Sequence, residues 1–201
     1  PFENMSGKPE RDYSADGITD EVITGLAKFS SLDVAARSSS FVYKGHSIDV
    51  RQVAKELGVR YVLEGSVRSA GKRLRVSGKL IDGTAGTHIW ADRFEGAVGD
   101  GFDAQDRLTE GIVGAVESSV RVAEIRRAGR KRPDNVEAND LFLRALPRVY
   151  ANTPGGTEGA LELLGRALEA EPDHALARAC ASWCHEQRFF RAGFRPEDRS
   201  A

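Results

Sequence analysis

Several polar side chains that could hold an anion follow predicted strands or begin a predicted helix in the amino-terminal part of the chain. Arg37 supplies a positive charge, and two hydroxyl side chains follow it directly. If the first two strands are parallel neighbours, their carboxyl ends meet beside a helix start, where open α/β sheets bind ligands. The candidate ligand-binding residues are Asn4, Ser6, Asp16, Gly17, Arg37, Ser38 and Ser39. The same residues also suit helix capping and loop closure, and both interpretations stay open.

A second group with possible chemistry consists of cysteines and histidines near the carboxyl end. Cys180 and Cys184 lie four residues apart on a predicted helix and share one face, whereas His185 points about 100° away from Cys184. His174 precedes them, but the second pair of ligands that structural zinc sites use is missing from the sequence. We therefore expect free thiols packed between helices, no metal and no cofactor.

Composition limits the possible classes of protein. The chain has 201 residues, a formal net charge of -1 and 40% hydrophobic residues. This near-neutral balance argues against a nucleic-acid or membrane-surface binder. Two cysteines make no disulfide framework, which favours a cytoplasmic location. The chain starts at Pro1, and we expect it to be a piece of a longer protein.

The stretch from residue 58 to residue 96 predicts the sheet around which the other elements pack. Three runs, 61–68, 73–82 and 87–94, are joined by short links that contain glycine. Apolar residues alternate with polar ones along the middle run, as in a strand with one buried and one wet face. These features predict an antiparallel meander of three strands.

The flanking sequence supplies further strands and the covering helices. We expect a strand end at Pro1–Asn4, a short strand at Leu32–Ala36, and helices that begin at Asp16, Asp49 and Asp103. The prediction is an α/β domain over residues 1–128, with a mixed sheet of about five strands and three helices. Residues 129–135 form a basic linker, whose charges suit a solvated helix end.

Residues 136–201 keep a helical period and predict an all-α hairpin. We expect helices at 136–150, interrupted or kinked by Pro147, at 158–170, and from Ala175 to about Phe190. This part resembles a tetratricopeptide repeat, because small and apolar residues stand at the positions where that repeat packs its helices closely. The residues that carry this resemblance are Leu141, Ala145, Ala160, Leu164, Ala167 and Pro172.

The last predicted helix carries candidate partner-binding aromatics. They are Trp183, Phe189, Phe190 and Phe194. Aromatics at the end of an incomplete repeat array are covered by further chain, available to a partner, or part of the hairpin's own core. We expect the helical repeat region to bind a protein partner or to self-associate, with a homodimer as one form, and we expect no nucleic-acid or membrane partner.

The first half resembles the domain family named after the amino-terminal domain of TolB. The matching segments are Pro1–Gly7, Ala15–Thr19, Ala36–Phe41, Leu57–Arg68, Leu80–Gly86 and Trp90–Phe94. Together with the repeat-like helices, the arrangement resembles the region that follows the catalytic domain in bacterial class III adenylate/guanylate cyclases.

This resemblance implies a non-catalytic regulatory and interaction region of a cytoplasmic signalling protein. The metal-binding aspartates of the catalytic domain are not in this sequence, so this chain is not expected to be an enzyme. Two alternatives stay open: the region behind the winged-helix DNA-binding domain of some transcription regulators, and a small-ligand-binding sensor domain.

Overall fold

The computed structural model describes residues 1–71, 73–97, 102–130 and 137–192. The chain divides into two compact units, Pro1–Val120 and Arg121–Ala201. The strands are β1 (Glu3–Asn4), β2 (Tyr61–Ala70), β3 (Arg73–Asp82) and β4 (Thr87–Ala97). The helices are a 3₁₀ turn at Pro9–Arg11 and then α1 (Asp12–Leu26), α2 (Arg37–Phe41), α3 (Val50–Leu57), α4 (Phe102–Arg130), α5 (Ala138–Ala151), α6 (Pro154–Ala170) and α7 (Ala175–Ala192).

The sheet of the first unit has the strand order β1-β2-β3-β4. The predicted meander is confirmed, since β2 pairs antiparallel with β3 and β3 antiparallel with β4. Glycines with positive φ occupy the two connections, Gly71 at 58° and Gly86 at 69°. β1 pairs parallel with β2, which makes the sheet mixed, as predicted.

The predicted strand at Leu32–Ala36 is wrong. The segment is irregular, and Leu32 and Val34 pack against the core through their side chains only. Within the described ranges the sheet therefore has four strands, not about five, and the chain has seven α-helices. A short apolar run can contribute side chains to a core without joining the sheet, and periodicity alone does not separate the two cases. The broad α/β class is confirmed.

Two helices, α1 and α4, bury one face of the sheet. Ile18 and Val22 of α1 and Ile112 of α4 pack with Val76 of β3, and each is at most 2% exposed. α1 and α4 approach closely where Gly25 meets Val113, because a Cβ at Gly25 would lie 2.7 Å from a methyl group of Val113. These buried apolar residues belong to the core of the first unit.

Three helix starts were predicted, with different outcomes. α4 begins at Phe102, one residue before the predicted Asp103. Asp49 is the N-cap of α3, and its carboxylate accepts a hydrogen bond of 2.9 Å from the Arg51 N–H, as expected. The predicted start at Asp16 is wrong, because α1 begins at Asp12 and Asp16 lies in its second turn. The buried stripe of α1 already includes Ala15, so packing extends the helix beyond its best capping residue.

The second unit packs α5 against α6 and α6 against α7 around its own core. Ala145, Ala160, Leu164, Ala167 and Ala177 have no exposed surface. Of the two predicted effects of Pro147, the interruption is wrong, since α5 continues through it, and the kink stays a prediction. Leu146 and Val149 on either side of the proline are buried in the core, and this packing outweighs the missing N–H.

Candidate functional site

The first predicted polar group closes a loop. The Asn4 amide donates to the Lys8 carbonyl oxygen at 2.8 Å and to the Asp12 carboxylate at 2.7 Å. The Ser6 N–H donates to the Asn4 side chain at 3.0 Å, and the Ser6 hydroxyl accepts from the Ser69 N–H at 2.9 Å. These bonds fix the chain that leaves β1 against the end of β2, as the loop-closure interpretation expects.

Arg37, the cation of the predicted group, and Lys44 both contact acidic side chains of α1. Arg37 forms an ion pair with Asp20 at 3.2 Å, and its guanidinium lies 4.0 Å from the centre of the Phe41 ring. Lys44 contacts both carboxylate oxygens of Asp16, at 2.6 and 2.7 Å. Because Asp12, Asp16 and Asp20 recur every four residues, they form one acidic stripe that binds three separate segments of chain.

The structure does not assemble the cleft as the sequence analysis assumed. With no strand at residues 32–36, the carboxyl end of β1 lies beside β2 and brings Asn4 and Ser6 to Ser69, not to Arg37. Ser38 and Ser39 lie exposed in α2, which is only five residues long. Gly17 lies beside Asp16 in α1. Ligand binding by this group stays a prediction.

The cysteines and histidines of the second unit have packing and capping roles. Cys184 is fully buried, and desolvation raises the pKa of its thiol to about 11. Burial also raises the pKa of Cys180. His174 is 9% exposed, its Nδ1 accepts from the Ala177 N–H at 3.3 Å, and its ring lies 5.3 Å from that of Phe142. Among the described residues, no three His, Cys, Asp or Glu side chains are grouped so that they could hold a metal.

The aromatic residues of α7 lie on its outer side. Trp183 is 36% exposed and Phe190 is 72% exposed, and the Phe189 and Phe190 rings stack edge to face at 5.7 Å. Leu176, 55% exposed, precedes Trp183 by seven residues, as Trp183 precedes Phe190. Residues seven apart share one side of a helix, so these three form an apolar stripe, which Glu186 and Gln187 interrupt between Trp183 and Phe190. Phe194 lies outside the described residues.

The open side of the sheet holds a cavity that the sequence analysis missed. It lies on the face turned away from α1 and α4, because its residues alternate with the buried residues of the same strands. Its volume is about 430 Å³. Its lining consists of Met5, Ser66, Arg68, Arg75, Ser77 and Arg93. The alternation in β3 indicated a polar face, but only the strand register shows which cationic residues meet on it.

Comparison with known proteins relates this chain to part of a longer one. Over 182 residues it is 45% identical to a protein of Rhizobium meliloti (strain 1021) named "Putative adenylate cyclase 3". The match covers 90% of this chain and 31% of that protein, so the chain spans about a third of its relative's length. No family model matches the chain.

Two solved structures show limited similarity. A PelC dodecamer from Paraburkholderia phytofirmans aligns with a TM-score of 0.40 at 18% identity, over 56% of this chain and 81% of PelC. The lipoprotein GNA1162 of Neisseria meningitidis aligns with a TM-score of 0.39 at 17% identity, over 60% of this chain and 93% of the lipoprotein.

In the described part of the chain, every helix is too short or too polar to cross a membrane.

Proposed function

We propose that this chain is a non-catalytic regulatory and protein-interaction region of a cytoplasmic signalling protein of the adenylate/guanylate cyclase type. The observation that carries the proposal is the 45% identity to "Putative adenylate cyclase 3" over nearly the whole chain, which accounts for only 31% of that protein. Such a match is expected when a shared accessory region accompanies a separate catalytic domain. Its task would be to bias the activity of that domain through contacts it makes elsewhere.

In this proposal the first unit is a TolB amino-terminal-like domain and the second a tetratricopeptide-like hairpin. The hairpin assignment is supported by the fully buried alanines Ala145, Ala160 and Ala167, because small residues let neighbouring helices approach closely. An array of such hairpins buries its faces by stacking, and the outer face of the last helix needs a cover.

The surface that receives a partner in this proposal is the apolar stripe of α7, formed by Leu176, Trp183 and Phe190. The partner is the same stripe of a second copy. Apolar residues that recur every seven positions suit the pairing of two helices. Seven residues make about two turns, so these side chains all lie on the side that faces the partner helix. The opposite side of α7, with Ala177 and Ala181, is already used by the hairpin core.

Sedimentation velocity over a range of protein concentrations tests this proposal. We expect the parent chain to dimerise and the variant with Trp183→Ala and Phe190→Ala to have a dissociation constant at least about 30-fold higher, since truncating an interface tryptophan typically costs about 2 kcal/mol or more. Tyr150→Ala is the control, because Tyr150 is an aromatic residue of the same unit that is 62% exposed and lies on α5, outside the stripe.

Three outcomes would contradict the proposal. One is a parent chain that stays monomeric at every concentration. Another is a double variant that keeps the parent's mass but melts at a lower temperature, which would make Trp183 and Phe190 part of the core. The third is a Tyr150→Ala variant that dissociates as readily as the double variant.

A further inference from the structure

The cavity on the open face of the sheet is built from cationic and hydroxyl groups of neighbouring strands. Strand register places Ser66 directly opposite Ser77, and Ser77 directly opposite Arg93. Arg68 lies directly opposite Arg75. One row across the sheet therefore supplies two hydroxyls and a guanidinium, and the adjacent row supplies two further guanidinium groups.

The charges around the cavity do not cancel. Arg75 is paired with Glu95, whose Oε1 lies 2.9 Å from its Nε and 2.7 Å from its Nη2. This hydrogen bond, with the nearby arginine charges, holds the pKa of Glu95 below its ordinary value, so the carboxylate is ionised at neutral pH. Three guanidinium groups line the cavity, and two carboxylates lie beside it, that of Glu95 and that of Glu3, which stands directly opposite Ser66, so these groups leave an excess of one positive unit.

The Arg75–Glu95 ion pair joins β3 to β4, whereas the position of Arg68 works against the fold. Like charges directly opposite on neighbouring strands destabilise a sheet, and Arg68 and Arg75 are such a pair. Within the described part of the chain, the Arg68 guanidinium and the hydroxyls of Ser66 and Ser77 have no hydrogen-bond partner. An anion in the cavity would supply acceptors for all three groups and would offset the repulsion between the arginines.

We propose that this cavity binds a small dianion of the phosphate-monoester class. Such an anion carries two negative charges, which the three guanidinium groups of the lining would offset. Guanidinium forks and hydroxyls are the side chains that hold phosphate oxygens in proteins. A volume of about 430 Å³ falls in the range of small-molecule sites and leaves room for the organic part of an ester.

Isothermal titration calorimetry on the whole chain, in phosphate-free buffer of low ionic strength, tests the site. Inorganic phosphate and glycerol phosphate are the probes, and succinate is a dianion without phosphate geometry. We expect saturable binding of both phosphates below about 10 mM and weaker binding of succinate. Arg68→Gln and Arg93→Gln should each weaken phosphate binding at least about tenfold, since each removes charged hydrogen-bond donors.

Arg73→Gln is the matched control, because Arg73 lies on the same strand as Arg75, is 85% exposed, does not line the cavity and contacts Glu95 only at 3.9 Å, so that the shorter Arg75–Glu95 pair stays in place. Its affinity should stay within about twofold of the parent's. The inference is overturned if the parent shows no saturable phosphate binding, if succinate binds as tightly, or if Arg73→Gln weakens binding as much as the two cavity variants. Unchanged fluorescence of Trp90 in the variants, read in a Trp183→Phe background, establishes that the sheet is intact. Calorimetry measures phosphate binding and not self-association, so this inference and the proposed function can fail separately.

Discussion

Leu164 is fully buried in α6, and replacing it with alanine is the sharpest test of how the helical unit is held together. The substitution removes three carbon groups, and their lost burial costs about 2.4 kcal/mol. Its cluster neighbours include Ala160, Ala167 and Ala177, whose side chains have no rotamers with which to fill the space. A cavity therefore remains and adds about 1–2 kcal/mol, which gives a total loss of about 3.4–4.4 kcal/mol.

Urea unfolding followed by Trp183 fluorescence measures this loss. The chain has two tryptophans, one in each compact unit, so a Trp90→Phe background confines the signal to the helical unit. Leu176→Ala is the matched control, because it makes the same chemical change on α7 at a site that is 55% exposed. We expect the control to change the free energy of unfolding by less than about 0.5 kcal/mol at a concentration where the chain is monomeric. Equal effects of the two substitutions would refute the packing described for α6.

The remaining stability predictions concern two glycines of the first unit, both followed by Trp90 fluorescence during urea unfolding in a Trp183→Phe background. Gly83→Ala should destabilise this unit by about 1–3 kcal/mol, because the new Cβ would overlap the Cβ of Ala54 and lie 3.1 Å from the Arg60 carbonyl oxygen. Gly114→Ala should stabilise it by about 0.5–1 kcal/mol, because the position is helical and nothing lies within 4 Å of the new Cβ. A neutral Gly83→Ala would contradict the close approach of α3 to the β3–β4 turn, and a destabilising Gly114→Ala would place that face of α4 in a contact.

The parts of the fold that local patterns predict are those in which local and tertiary preferences agree. The β2–β3–β4 meander has period-two alternation and glycine at both turns, and it forms as predicted. α3 has Asp49 before it and a left-handed Gly58 after it, and it begins where Asp49 predicts. α5, in contrast, continues through Pro147 because the core on both sides of the proline holds it.

The parts that sequence could not predict depend on long-range pairing. The parallel partner of β1 is β2, more than fifty residues away, and the apolar run at residues 32–36 gave no sign that it stays outside the sheet. The ion pairs of Arg37 and Lys44 with the aspartates of α1 needed that geometry too. Likewise, the alternation of β3 predicted which of its residues face solvent, whereas the meeting of Arg68, Arg75 and Arg93 at one cavity follows only from the register of three strands.

The central claim is that this chain is an accessory region without catalytic activity of its own, and one assay tests it directly. The purified chain, expressed in a host that lacks its own adenylate cyclase, is incubated with ATP or GTP and Mg²⁺ or Mn²⁺, and cyclic nucleotide is measured. We expect none above the rate without protein, since cyclisation of a nucleoside triphosphate needs carboxylates that hold two metal ions. Cyclic nucleotide formation that follows the chain through successive purification steps would contradict the claim.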